Sequence, residues 1–309
     1  MGGRGEAETA ARELTAGADD AGLRLDAFLA ARGAFGSRAA AQRAVDAGAI
    51  TVNGATQPKN YRLQQRDRVI VTAEPAAAPT PAAVGFEAVY EDPDVIVVDK
   101  PAGLVTHPAP GHHGVTLAEL LPEGSRVVHR LDKDTSGLLL VARSEEVLAE
   151  LQRMMKAREI TREYTALVEG HPDAESGTID APLGRDRANR TVMSTRTARA
   201  RHAVTHFEVL ERLPRTALLR VRLETGRTHQ IRAHLDAIGH PVVGDPQYGG
   251  SASGSRLGLK RQFLHASTLM FRHPIGGELV RCESKPPVEL SHALDTARRE
   301  PVSGGPDGG

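Results

Sequence analysis

The stretch from Val127 to Val141, VVHRLDKDTSGLLLV, places a dense run of polar residues between two apolar runs. The apolar residues Val127-Val128 and Leu138 to Val141 are typical of buried β-strands. The polar residues between them are too numerous to be buried on one face of a strand or helix. The pattern therefore predicts a loop held at the ends of two buried strands, where a rigid scaffold commonly presents chemistry.

Asp132 is the main candidate for chemistry in this loop, because cations lie on both sides of it at Arg130 and Lys133. A neighbouring cation keeps a carboxylate ionised even where water is partly excluded, and such a carboxylate can act as a nucleophile or a base. The alternative is that Asp132 or Asp134 caps a turn. The kinase catalytic loop, H-R-D-L-x-x-x-N, does not fit, because Leu131 separates the Arg from the Asp.

The nine residues from His129 to Gly137, HRLDKDTSG, resemble the signature H-R-L-D-x-x-T-S/T-G of RNA pseudouridine synthases of the ribosomal large-subunit type. A second segment, VVDKPAGLVTHP at 97–108, resembles the first conserved block of that family. Residues after 181, PLGR…RT…AVTHFEVLER, are similar to its subgroup D. The resemblance implies that Asp132 is the catalytic carboxylate, and that the domain is α+β, built on a bent, mainly antiparallel mixed sheet.

Two further catalytic candidates, Tyr164 and Arg227, rest on the same resemblance. Tyr164 occupies the Tyr position of the block R-x-Y-x-A-L-V-x-G, where a phenol could stack on a base and assist proton transfer. The alternative is a half-buried strand tyrosine with its hydroxyl in water. Arg227 lies in GRTHQIRAH, whose Arg is implied to pair with Asp132; the alternative is an ordinary surface ion pair. Thr228 is predicted to cap a helix that begins at His229.

The formal net charge is zero, yet residues 22–73 carry seven Arg and one Lys against three Asp. The order S-R-x-x-A-Q-R-x-V-x-x-G-x-I-x-V-N-G at 37–54 resembles the small RNA-binding domain named for ribosomal protein S-four. An ordinary solvated surface is the alternative. Residues 181–201, with six Arg and one Asp, predict either a solvated loop or an arm that grips phosphates. The RNA-binding candidates are Arg38, Gln42, Arg43, Lys59, Arg62, Arg130, Arg185 and Arg190.

Composition shifts predict the domain organisation. Residues 1–21 have almost no large apolar side chain and are expected to be disordered. The RNA-binding domain follows at 22–73, and EPAAAPTPAAV at 74–84 is expected to be a semi-rigid linker. The catalytic domain is placed at 85–296, with a disordered tail at 297–309.

Cys282 is the only cysteine, which excludes an intrachain disulfide and Cys-based metal sites. His107, His112 and His113 lack ligand spacing and are expected to be loop residues, so neither a metal nor another cofactor is predicted. No apolar run approaches the ~20 residues that a membrane span needs, and the N-terminus has no signal region. The chain is expected to be a cytoplasmic monomer without membrane contact.

The predicted reaction is isomerisation of uridine to pseudouridine in large-subunit ribosomal RNA or a pre-ribosomal particle. Asp132 could attack the sugar at C1′ or remove a sugar proton, and both routes stay open. One alternative is the same reaction on another RNA, such as tRNA. Another is a non-catalytic ribosome-assembly factor. A glycosidase using Asp132 and Asp134 is a third, but it should carry sugar-stacking aromatics, and the chain has no Trp and 3% aromatic residues.

Overall fold

The computed structural model describes residues 12–35, 38–46, 48–72, 86–108, 114–187, 189, 191–197 and 200–301. The predicted linker at 74–84 lies outside these residues. The described chain divides into a small N-terminal unit and a larger unit that begins after the linker. Each unit has its own hydrophobic core.

The N-terminal unit packs two helices against a four-stranded antiparallel sheet of order β1-β4-β2-β3. Its elements are β1 (Arg12–Thr15), a 3₁₀ turn (Ala18–Asp20), α1 (Leu25–Ala31), α2 (Arg38–Asp46), β2 (Ile50–Val52), β3 (Ala55–Thr56) and β4 (Arg68–Val71). Leu25, Phe28 and Leu29 of α1 are fully buried, as their helical spacing requires. Asn53 and Gly54 form the tight turn of the β2–β3 hairpin, both with positive φ.

The prediction that residues 1–21 are disordered is wrong for residues 12–20. β1 pairs with β4 from Arg12 opposite Val71 to Thr15 opposite Arg68. Leu14 packs against the core of the unit, and Arg68 Nε lies 2.7 Å from Glu13 Oε1. The segment is ordered by strand pairing, which a low content of large apolar residues does not rule out.

The larger unit is built on a mixed sheet of order β10-β13-β14-β9-β15-β8-β6-β5, with β16 beside β15 and β7 beside β8. All of its pairs are antiparallel except β8 with β15. The strands are β5 (Glu87–Glu91), β6 (Val95–Lys100), β7 (Arg126–Val127), β8 (Ser136–Ala142), β9 (Thr161–Glu169), β10 (Ser176–Asp180), β13 (Val204–Arg212), β14 (Thr216–Leu223), β15 (Leu264–Arg272) and β16 (Leu279–Glu283). A separate small hairpin, β11 (Gly184–Arg185) and β12 (Met193–Ser194), lies in the arginine-rich segment predicted to be irregular. The helices are α3 (Leu117–Leu120), α4 (Glu145–Ala157), α5 (Gln230–Ala237), α6 (Ser251–Arg256) and α7 (Val288–Arg299).

Strand β8 is buried along its whole length, which explains the unbroken apolar run in the sequence. Leu138 and Leu140 pack in the cluster that includes α4, whereas Leu139 and Val141 face the larger core on the other side of the sheet. Ser144 caps α4 by accepting a hydrogen bond from the N–H of Val147. The polar loop that contains Asp132 is therefore fixed to the most deeply buried strand.

Gly137, near the start of β8, lies against the backbone of β15. Its φ is +110°, and a Cβ there would lie 2.3 Å from the carbonyl oxygen of Ala266 in β15. The parallel pairing of β8 with β15 therefore requires a residue without a side chain.

At the other end of the unit, α7 continues to Arg299 and crosses the predicted domain end at 296. Within the described residues, no helix is long and apolar enough to span a membrane.

Candidate active site

Asp132 lies in the loop between β7 and β8, and its side chain is 17% exposed. Its backbone carbonyl accepts a hydrogen bond from the N–H of Thr135, 3.1 Å away, which closes a turn. Next to it, the hydroxyl of Thr106 donates to the carbonyl of Leu131 at 2.8 Å. The loop that carries Asp132 is thus fixed by its own turn and by the hydrogen bond from Thr106.

Lys100, at the end of β6, is a buried support for the same loop. Its ammonium Nζ donates to the carbonyls of Pro101 at 2.8 Å, Leu104 at 2.9 Å and Lys133 at 3.1 Å. Burial lowers the pKa of Lys100 to about 7, with Asp134 and Asp132 acting in the opposite direction. Lys100 therefore ties the residue after Asp132 to the turn that follows β6.

Arg232, in the first turn of α5, makes the ion pair with Asp132, with 3.1 Å between Nη1 and Oδ2. The guanidinium also forks onto the fully buried Asp245, with Nε to Oδ2 at 2.6 Å and Nη2 to Oδ1 at 2.8 Å. It lies 4.9 Å from the centre of the Tyr248 ring. Burial alone would lower the pKa of Arg232, but Asp245 and Asp132 offset it and raise the pKa above its usual value. Arg232 is thus a fixed cation that orients Asp132.

The predicted Arg227–Asp132 ion pair is wrong. Arg227 is exposed, and its Nε donates to the carbonyl of His202 at 3.2 Å. It precedes α5, whereas Arg232 is in the first turn, on the buried side of the helix. The matching block contains both arginines, so only the helix phase distinguishes them.

The predicted Thr228 cap is also wrong, because α5 begins one residue later. His229 has a left-handed φ of 51° at the cap position and makes no side-chain cap hydrogen bond. Instead the Oε1 of Gln230 accepts the N–H of Arg227 at 2.9 Å and the hydroxyl of Thr225 at 2.8 Å. Gln230 thereby folds the GRTHQ turn and leaves Arg227 at the rim.

Tyr164 lies on β9 and is 4% exposed. Burial raises its pKa; Arg162 opposes that rise and Asp132 adds to it. Tyr164 and Asp132 line one pocket of about 450 Å³. The polar and charged residues that line this pocket include His129, Arg130, Asp132, Lys156, Arg158, Arg162, Tyr164, Glu224, Arg227 and Arg232, with Gly226 beside them. Its lining includes six Lys or Arg and two carboxylates, which favours an anionic ligand.

His129, half-buried in the pocket wall, accepts a hydrogen bond from the N–H of Leu140 at its Nε2, 3.2 Å away. In the neutral ring Nδ1 then carries the proton. Burial lowers the pKa of His129 to about 3, and the charge of Arg162 adds to the effect. The histidine of the signature motif is therefore a neutral anchor for β8.

Three of the predicted RNA-binding residues of the N-terminal unit make internal contacts. Gln42 Nε2 donates to Asp26 Oδ2 at 2.6 Å, Lys59 Nζ lies 2.8 Å from Asp46 Oδ2, and Arg62 Nη1 donates to the carbonyl of Gly22 at 2.7 Å. The side chains of Arg38 and Arg43, and Arg190 altogether, lie outside the described residues. Arg130 is exposed at the pocket, and Arg185 is exposed in β11.

Asp92, Asp94 and His273 form the one cluster of possible metal ligands among the described residues. His273 Nδ1 accepts from the backbone N–H groups of Ile275 at 3.3 Å and Gly276 at 2.9 Å. In the neutral ring Nε2 then carries the proton, 3.0 Å from Asp92 Oδ2, and a nitrogen that carries a proton cannot bind a cation. Asp92 Oδ1 accepts the N–H groups of Asp94 and Val95, so both side chains serve to fold backbone turns.

Comparison with known proteins places these features in one family. The model for RNA pseudouridylate synthases matches residues 94–237, and that for S4 domains matches residues 23–69. An uncharacterized RNA pseudouridine synthase of Bacillus subtilis (strain 168) is 41% identical over 93% of this chain and 98% of its own. The ribosomal large subunit pseudouridine synthase D of Nitrosomonas europaea is 39% identical over 94% of this chain and 89% of its own.

Solved structures agree. Human RNA pseudouridylate synthase domain containing 1 matches with a TM-score of 0.56 and 28% identity, over 74% of this chain and 99% of its own. The chain therefore belongs to the RNA pseudouridine synthase family and carries an RNA-binding S4 domain at its N-terminus. The predicted fold class, a mainly antiparallel mixed sheet in an α+β domain, is confirmed.

Proposed function

We propose that this enzyme isomerises uridines of large-subunit ribosomal RNA to pseudouridine, with Asp132 as the catalytic carboxylate. The observation that carries the proposal is the meeting of Asp132 and Tyr164 in one pocket, with Arg232 bonded to Asp132 from 100 residues away in the sequence. Binding alone would not need a carboxylate held by a buried guanidinium. The ribosomal substrate is supported by the relatives named as ribosomal large subunit pseudouridine synthase D.

In the proposed reaction Asp132 acts on the ribose of a uridine that has left its stack, which costs a few kcal/mol and favours unpaired RNA. The carboxylate attacks C1′, or removes the C2′ proton to leave a glycal. Either route breaks the N1–C1′ bond. C5 of the turned base then bonds to C1′, which releases the Asp132 carboxylate in the first route and returns the proton to C2′ in the second, and the C5 proton moves to N1. Arg232 keeps the carboxylate oriented, and the Tyr164 ring packs against the base.

The proposed RNA contacts are the candidates named from the sequence, together with Arg227. Arg130 and Arg227 lie at the pocket and would contact phosphates beside the target nucleotide. Arg185, Arg190 and the N-terminal residues Arg38, Gln42, Arg43, Lys59 and Arg62 would bind RNA further away. We further propose that the enzyme acts as a monomer in the cytoplasm, on ribosomal RNA or on a pre-ribosomal particle.

The test compares Asp132→Asn with Asp134→Asn, a matched change two residues along the same loop. Pseudouridine formation under single-turnover conditions should fall by roughly 10³-fold or more in Asp132→Asn, because an amide is neither a nucleophile nor a base. RNA affinity should stay within a few-fold, and Asp134→Asn should keep most of the rate. Near-normal conversion by Asp132→Asn would refute the role of Asp132. Mapping pseudouridine in ribosomal and transfer RNA of a deletion strain tests the substrate: loss confined to transfer RNA would refute it.

A further inference from the structure

Arg162 is a buried arginine in the pocket that the proposed reaction does not yet use. It lies on β9 two residues before Tyr164, so both side chains project from the same face of the strand. It is 5% exposed and lines the same pocket as Asp132. Arg162 therefore lies deep in the site, close to Tyr164, which is proposed to pack against the base.

The guanidinium of Arg162 has no protein partner among the residues that the structure describes. Its Nε is buried without a hydrogen bond, and no carboxylate lies within ion-pair distance of it among those residues. Burial lowers the pKa of Arg162, although arginine remains charged in proteins. An unpaired buried charge costs stability. The fold alone thus gives no reason to keep a cation at this position.

The surrounding chain leaves room for this guanidinium. An added Cβ at Gly226 would lie 2.9 Å from Arg162 Nη1. Gly226 belongs to the turn that Gln230 folds, so the turn approaches the guanidinium closely without capping it. The other pocket cations differ: Arg158 is 55% exposed and paired with Glu224, and Arg232 is bonded to Asp132 and Asp245.

The depth of Arg162 favours a base rather than a phosphate as its ligand. Phosphates of an RNA strand pass across the mouth of such a pocket, where exposed cations reach them, whereas the base of a flipped nucleotide enters furthest. A guanidinium offers only donors, and uracil offers acceptors at O2 and O4. A hydrogen bond with a charged donor is stronger where water is excluded.

We propose that Arg162 binds a carbonyl oxygen of the flipped uracil and stabilises the negative charge on the detached base. This inference rests on the proposed isomerisation. When N1–C1′ breaks, its electron pair stays on N1 and the charge is shared with O2 and O4. In the first route C1′ bonds to the Asp132 carboxylate; in the second, Asp132 takes the C2′ proton and a C1′–C2′ double bond forms. The charge leaves the base when C5 bonds to C1′, as the C1′–Asp132 bond breaks or as Asp132 returns its proton to C2′. The C5 proton then moves to N1. A fixed donor aimed at charge that develops only during the reaction lowers the barrier.

The experiment compares Arg162→Met and Arg162→Lys with Arg220→Met, an arginine on β14 that is paired with Glu208 outside the pocket lining. The single-turnover rate at saturating RNA should fall by about 10²–10³-fold in Arg162→Met. The Kd for RNA and its salt dependence should stay near wild type. The thermal midpoint should equal or exceed that of wild type, because an unpaired buried charge is removed. Arg162→Lys should retain an intermediate rate, and Arg220→Met should match wild type.

A second experiment uses RNA that carries 5-fluorouridine at the target position. Fluorine withdraws electrons and makes the base a better leaving group, so the deficit of Arg162→Met, measured as consumption of the target nucleoside, should shrink. An unchanged rate with weaker, less salt-sensitive binding would assign Arg162 to a phosphate and overturn the inference. A lowered midpoint with an equal deficit on both RNAs would assign it to packing and also overturn it. Wild-type activity with an inactive Asp132→Asn shows in either case that the proposed function stands, whereas an inactive wild type would refute that function itself.

Discussion

Replacing Arg232 by Met tests two roles of this residue: pairing with the buried Asp245, which stabilises the fold, and orienting Asp132. The change removes the fork onto Asp245, whose side chain is 0% exposed, as well as the single bond to Asp132. An uncompensated buried charge typically costs about 3–5 kcal/mol. A domain of this size loses roughly 2–4 °C of Tm per kcal/mol. Arg232→Met should therefore unfold at a Tm roughly 6–20 °C lower.

The double variant Arg232→Met, Asp245→Asn removes the stranded charge and should recover much of this loss. It should not recover catalysis, because Asp132 still lacks its orienting guanidinium. Thermal unfolding and single-turnover pseudouridine formation, measured on both variants and on Asp245→Asn alone, form a cycle that isolates the coupling. Recovery of stability and rate together would show that Arg232 acts on catalysis only by holding the fold, and would refute the orienting role.

Three further predictions follow from other parts of the structure. Gly137→Ala should lower the free energy of unfolding in urea by about 2–5 kcal/mol, from left-handed strain and overpacking against Ala266. Gly124→Ala, with positive φ but no atom closer than 3.8 Å, should cost about 1–2 kcal/mol; equal losses would contradict the close-contact argument. The pKa of His129 lies below its unfolded value, so acidification below pH 6.5 should protonate the unfolded chain first and reduce stability by up to about 1.4 kcal/mol per pH unit; a slope as steep in His129→Gln would refute this. A truncated protein that begins at Phe86 should keep its single-turnover rate at saturating RNA, while its log affinity should depend less on log salt, by about 0.7 per lost phosphate contact; an unchanged salt slope would show that the N-terminal unit does not grip this RNA.

The central loop could be predicted from sequence because its polarity contrasts with two apolar strands. The position of Asp132 between them follows from that contrast. The partner of Asp132 could not be predicted, because Arg227 and Arg232 lie in one block, GRTHQIRAH, and differ only in helix phase. That phase depends on a cap at His229 with positive φ, which a glycine would have indicated more clearly.

Buried polar residues were also difficult to predict. Lys100 reads in sequence as a charge next to a turn, yet its ammonium is enclosed by three carbonyls. Arg162 reads as a solvated residue of an alternating strand. Lys100 ends a strand that is buried at all but one of its residues, and Arg162 occupies a buried position of β9. In both strands a charged residue lies where neighbouring side chains are buried, and residue type alone does not reveal that burial.

The sequence gives the net positive charge of residues 22–73, but it does not show which of these cations are paired within the folded unit. Lys59 lies within ion-pair distance of Asp46, and Arg24 contacts Asp26 at 3.0 Å. Counting charges cannot assign the partner of Lys59, because Asp46 at the end of α2 and the segment around residue 59 meet only in the folded unit.

The parallel pairing of β8 with β15 has a consequence for how the enzyme is made. Ser136 and Gly137 lie beside His265 and Ala266, more than 120 residues later in the chain. A ribosome must therefore extend the chain as far as β15 before Ser136 and Gly137, at the start of β8, gain their partner strand, whereas β7 pairs with the other end of β8 at Val141 and Ala142. Long-range pairings of this kind slow folding and leave a strand open to aggregation. The pocket, which needs β8, β9 and α5 together, can close only after α5 has been made, so a nascent chain should acquire its RNA-binding domain well before it can act on RNA.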